Sequence, residues 1–161
     1  MIATRRGLFA LCLLLASLLL TSLLLASLGQ AWAVEAGMPE ESAFVEHRLT
    51  LQISEAADAK QTVALNVAFN VLKVFGPDKV AIEIVAFGPG IDLLHDGNAN
   101  GARIRSLVAQ GVRFDACMNT VETIERDTGK PYPLHPDARR VDAGVVQIMT
   151  LAEHGYTTVR P

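Results

Sequence analysis

The segment that most restricts the fold is Lys79–Phe87, a near-continuous apolar run interrupted only by Glu83. Gly76-Pro77 closes it on one side and Gly88-Pro89-Gly90 on the other, and such dipeptides punctuate the chain between elements. A strand without polar alternation has to be covered on both faces, which is the situation of a central strand in a parallel sheet. Its neighbours fit that frame. Arg48–Ser54 alternates, with Leu49, Leu51 and Ile53 on one face, as a half-buried strand does. Asp58–Phe75 carries a helical pattern ending at Gly76-Pro77. After Gly88-Pro89-Gly90 come a short turn (Ile91–Leu94) and a polar loop (Asp96–Asn100). A helix over Gly101–Gln110, a strand over Val112–Ala116 and a helix over Asn119–Asp127 follow. The last of these opens on an Asn119-x-x-Glu122 pattern of the capping-box kind. A proline-rich loop (Gly129–Pro136) leads to a strand (Arg139–Asp142), a helix (Val145–His154) and a final strand (Tyr156–Val159). Strands separated by helices predict an α/β fold: a doubly wound, mostly parallel five-stranded sheet with helices on both faces.

The helix over Asp58–Phe75 has an apolar surface wider than one sheet covers. Thr62, Asn66, Asn70 and Lys73 form a narrow polar stripe, and valines, leucines and Phe69 occupy most of the rest. A surface helix needs an apolar stripe of only about 100°. A second covering surface is expected, most simply another subunit.

Composition matters mainly through the first 33 residues. Arg5-Arg6 precedes an apolar stretch, Leu8–Leu28, and Ala31-Trp32-Ala33 offers the small-x-small pattern read by signal peptidases. Residues 1–33 are expected to be a signal peptide, 34–45 a linker and 46–161 the domain. The apolar stretch is also long enough to span a bilayer, so an uncleaved N-terminal anchor is the competing reading. Thr4-Arg5-Arg6-Gly7-Leu8-Phe9 is similar to a twin-arginine signal as well. Each reading places the domain in the periplasm or otherwise outside the cytoplasm. Both leader charges are basic, so the domain is more acidic than the net −3 of the whole chain. That balance argues against nucleic acid as a partner and against a polybasic membrane patch.

Of the two cysteines, Cys12 lies in the leader, which leaves Cys117 alone in an oxidising compartment. No Cys-x-x-Cys, zinc spacing, nucleotide fingerprint or Gly-x-Ser-x-Gly elbow is present, so no metal or cofactor is expected. Cys117 falls where the third strand ends and the next helix begins. Unpaired N–H groups and the helix dipole there favour an anion such as a thiolate. The alternative is an inert buried thiol. Strand alternation puts Arg113 and Asp115 on the face of Cys117, with Arg113 expected to pair with Asp115 or another acid. His95, on the same expected sheet edge, is a candidate base or hydrogen-bond partner for the sulfur; the alternative is a solvated loop histidine. Glu83, inside the apolar strand, is expected either to be buried with a partner or to face a subunit boundary.

The stretch Gly111-Val112-Arg113-Phe114-Asp115-Ala116-Cys117-Met118-Asn119-Thr120 resembles the DsrE/DsrF-like sulfur-relay proteins. So do Asn66–Lys73, Val80–Phe87 with Gly88-Pro89-Gly90-Ile91-Asp92-Leu93-Leu94, Ala143-Gly144-Val145 and Gly155-Tyr156, over roughly His47 to Pro161. The resemblance implies a homo-oligomer, often a trimer or hexamer. It also implies a cysteine, matching Cys117, that holds sulfur as a persulfide and passes it from a donor to an acceptor, both unidentified here. Gly88, Gly90, His95, Asn119 and Thr120 are the residues expected to support that thiol. The best-known members are cytoplasmic and this chain carries an export signal. It also has no second cysteine in the domain to act as a relay partner.

Overall fold

The computed structural model describes residues 43–161. The leader, its cleavage site and Cys12 lie outside the described residues. Ten elements follow in order: β1 (His47–Ile53), α1 (Asp58–Phe75), β2 (Val80–Ala86), a 3-10 segment (Gly88–Leu94), α2 (Gly101–Val108), β3 (Arg113–Cys117), α3 (Met118–Thr128), β4 (Ala138–Val141), α4 (Gly144–Glu153) and β5 (Thr157–Val159). The five strands form one all-parallel sheet in the order β4-β3-β2-β1-β5.

That order explains where the helices lie. From β1 to β4 the chain steps one strand at a time in one direction, and right-handed crossovers place the intervening helices on one face. The connection after β4 runs back across the sheet to β5, so α4 is left on the opposite face. Packing agrees. Ile82, Ile84 and Ala86 of β2 pack with Leu65, Ala68 and Leu72 of α1, Ile104 and Leu107 of α2 and Val121 of α3. The alternate residues, Ala81 and Val85, pack with Ile148, Leu151 and Tyr156. All seven residues of β2 are buried, as its apolar run requires.

Two expectations change. The turn after β2 is a full 3-10 segment, and Gly90 within it is structural: a Cβ there would land on the Ile53 carbonyl of β1. The capping box at Asn119 is absent. The helix starts one residue earlier, Cys117 is its N-cap with no side-chain cap bond, and the Asn119 N–H donates to the Asp142 carbonyl at 3.1 Å. The wide apolar surface of α1 is only partly covered, with Val74 74% exposed and Val63 44% exposed. Among the described residues, no helix is long and apolar enough to cross a membrane.

Candidate functional site

Ligands of open α/β sheets bind beyond the carboxyl ends of strands where successive connections leave on opposite faces. Here that point lies between β3 and β4, because α3 leaves β3 on one face and α4 leaves β4 on the other. Cys117 is the last residue of β3 and pairs in register with Val141, the last of β4. Gly144, three residues beyond Val141, opens α4. The sulfur therefore sits between the N-termini of two helices on opposite faces.

The hydrogen bonds follow from this placement. The Thr120 hydroxyl and the backbone N–H groups of Gly144 and Thr120 are directed at the Cys117 sulfur, and the Asn119 N–H, which donates to the Asp142 carbonyl, adds a lesser share. The Thr120 oxygen already accepts the Gly88 N–H at 3.0 Å, which leaves its own proton free for the sulfur. Gly88, Thr120 and Cys117 thus form one relay of donors ending on the thiol. Burial pushes the Cys117 thiol up, since the residue is only 6% exposed. The Thr120 hydroxyl and the three N–H groups outweigh that and hold it below the ordinary cysteine value. What results is a thiol that ionises more readily than an ordinary cysteine.

Gly144 was not singled out for the site by its sequence position, although the run Ala143-Gly144-Val145 was noted. A Cβ at 144 would stand 3.2 Å from the Cys117 Cβ and 3.1 Å from the Phe87 Cβ. Only glycine lets the start of α4 come this near to the thiol without displacement. The signal available in sequence was a glycine at a helix start with no capping residue before it.

His95 does not join this arrangement. Its Nδ1 accepts the Gly97 N–H at 2.9 Å, and its ring packs edge-on to Tyr132 at 5.4 Å between centroids. The groups bonded to the sulfur are those of Thr120, Gly144 and Asn119, with no histidine among them. Asn119 contributes through its backbone while its side chain is exposed.

On the α3 side, Gly88, Pro89, Ile91, Asp92, Asn119, Thr120, Thr123, Ile124 and Tyr132 line a largely apolar cleft of about 540 Å³. Gly88 and Thr120 belong both to the cleft and to the relay behind the thiol. Tyr132 donates its hydroxyl to the Ile91 carbonyl at 3.2 Å, and burial, with the nearby Asp92 charge, pushes it up to about 12. It stays a neutral donor throughout the physiological range.

On the α4 side, behind the thiol, lies a buried charged cluster. Arg113 pairs with Glu83 through Nε at 2.8 Å, so its acid is Glu83 rather than Asp115. Asp115 instead accepts Arg139 Nε at 2.9 Å. Arg139 and Gln147 both reach the second Glu83 oxygen, at 3.4 Å and 3.3 Å. Glu83 is thus buried with partners.

No family model matches the chain, and no curated protein matches it. Among solved structures it is similar to a protein of unknown function, MTH1491 from Methanobacterium thermoautotrophicum, with 26% identity and a TM-score of 0.64. The match covers 72% of this chain and 100% of that one, so the two share the α/β fold across the whole of the smaller protein.

Proposed function

We propose that this chain is an exported sulfur-handling protein of the DsrE/DsrF-like kind, with Cys117 as the sulfur carrier. The observation that supports the reading best is the convergence of two helix N-termini and the Thr120 hydroxyl on one thiol. A sulfane sulfur atom is carried as an anionic persulfide at neutral pH, and preorganised N–H donors stabilise that anion as they do the thiolate. In the forward step the Cys117 thiolate attacks the outer sulfur of an organic persulfide donor. A new S–S bond forms at Cys117, the donor S–S bond breaks, and the donor leaves as its thiolate. The acceptor thiolate then attacks the outer sulfur and Cys117 departs as the anion, so no net oxidant or reductant is consumed. The export assignment rests on Arg5-Arg6, Leu8–Leu28 and Ala31-Trp32-Ala33.

Self-association belongs to the same proposal. Val63, Val74 and Phe75 of α1 are exposed, and a homo-oligomer buries them. A second reading, a non-catalytic binding module, is favoured by the cleft, whose lining does not include Cys117.

Cyanolysis separates the two readings. After incubation with an organic persulfide, cyanide should release thiocyanate in an amount matching Cys117, and none from Cys117→Ser. A folded protein that releases none after exposure to sulfane donors overturns the carrier reading.

A further inference from the structure

The buried cluster behind the thiol contains an arrangement that two ionised acids do not satisfy. Glu83 and Asp115 are both fully buried on the α4 face of the sheet, and Arg139 bonds to both of them. An ionised carboxylate only accepts, so two neighbouring buried acids can satisfy each other only when one of them carries a proton. Two buried oxygens of this cluster have no other partner: Asp115 Oδ2 and the Oγ1 of Thr50, the register neighbour of Glu83 on β1. The groups facing Glu83 come from four other elements, and of these only the Thr50 hydroxyl lacks a partner of its own. Arg113 and Asp115 come from β3, Arg139 from β4, Gln147 from α4 and the register partner Thr50 from β1, while Tyr156 accepts Arg113 Nη2 through its hydroxyl. Neither arginine supplies a donor to Asp115 Oδ2.

We propose that Glu83 and Asp115 hold one proton between them, and that this proton sets the acid strength of Cys117. The charge count shows why. With the proton in place, Arg113 and Arg139 face a single negative carboxyl charge, which leaves one positive charge on the face that Cys117 shares. A thiolate balances it. Without the proton the cluster is neutral by itself, and a thiolate adds an unbalanced buried anion. Asp115 and Cys117 are two residues apart on one strand, about 7 Å by strand rise. Burial, followed by the hydrogen bond and charge of Asp115, pushes Glu83 up to about 7 against the pull of the two arginines. The pair therefore gains and loses its proton within the ordinary range of pH.

A unit charge about 7 Å away, acting through an effective dielectric of about 20, changes the thiolate equilibrium roughly 50-fold. Screening reduces this, and at least about tenfold is expected, one unit in the thiol pKa. Coupling of this kind is reciprocal. Whatever the pair's proton does to the thiol, the thiolate does to the pair. The inference concerns only the acid strength of Cys117 and holds whichever function the thiol serves.

The test is carbon-detected NMR titration of the side-chain carboxyls in the full chain, alongside the pH profile of Cys117 alkylation. The Glu83 carboxyl carbon is expected to titrate near neutrality in the native protein. If the thiol ionises first, Cys117→Ser should lower that titration by about one unit; if the pair ionises first, Glu83→Gln should lower the thiol titration by the same amount. Glu83→Gln mimics the protonated pair and keeps a donor for Asp115 Oδ2, so it should fold. Its thiol should titrate in a single step with no weakening at high pH. A Glu83 carbon that titrates below about pH 5, as an ordinary carboxylate does, overturns the proposal. So does the joint result that the Glu83 titration is unchanged in Cys117→Ser and the Cys117 titration is unchanged in Glu83→Gln.

Discussion

Replacing Thr120 with valine removes one hydroxyl from the relay and changes little else in volume. Its oxygen accepts the Gly88 N–H at 3.0 Å, and its proton is directed at the Cys117 sulfur. A hydrogen bond to a charged group is worth about 1.5–3 kcal/mol. The three backbone N–H groups remain and take up part of that loss, so the lower end applies. At 1.36 kcal/mol per unit, the thiol pKa should rise by about one unit. Below the pKa, alkylation by iodoacetamide should slow about threefold, because the tenfold loss of thiolate is partly offset by its greater nucleophilicity. Its high-pH limit should rise instead, by roughly threefold, because nucleophilicity grows with basicity at a Brønsted slope of about 0.4–0.5. The valine also leaves the part-buried Gly88 N–H without its acceptor, a cost of about 1–3 kcal/mol visible in denaturant unfolding. Thr120→Ser restores the hydroxyl and should restore the pH profile. A folded Thr120→Val protein with the native thiol pKa, or a lowered one, would refute the assignment of that hydroxyl to the sulfur.

Gly144→Ala puts a methyl group 3.2 Å from the Cys117 Cβ and 3.1 Å from the Phe87 Cβ. Overpacking of this kind costs about 1–3 kcal/mol, and shifting the start of α4 should raise the thiol pKa; unfolding and alkylation profiles read both. Glu83 gives a stability signature of definite sign. Its folded value of about 7 lies above the ordinary 4.5, so its proton stabilises the fold fully below about pH 4.5. That contribution, of order 3 kcal/mol, is lost as pH rises to about 7. Glu83→Gln should flatten this fall, which urea unfolding across the window measures. Val74→Asp, on the exposed end of α1, should shift sedimentation toward smaller species and leave thiol alkylation unchanged.

The fold was legible because its punctuation is strong. The bounds of α1 agree with the pattern read over Asp58–Phe75, since Gly76-Pro77 permits no continuation. Burial of every residue of β2 follows from its apolar run. The helix after β3 was misread at its start, because Asn119 and Glu122 mimic a cap while the real N-cap is the strand's own last residue. Cys117 could be placed at a strand end from sequence. The second helix terminus beside it could not, because Gly144 is brought to it only by the return crossing from β4 to β5. Arg139 is likewise remote in sequence from Glu83 and Asp115, and only strand order makes them one cluster. His95 shares the sheet edge with Cys117, but its ring is occupied by Tyr132 and the Gly97 N–H.

The central claim is that Cys117 carries sulfur, and intact-mass analysis after treatment with an organic persulfide tests it most directly. The account predicts a gain of about 32 Da, one sulfur atom. The gain should map to Cys117, reverse on addition of an acceptor thiol, and be absent in Cys117→Ser. A folded native protein whose mass stays unchanged in the presence of the donor would contradict it.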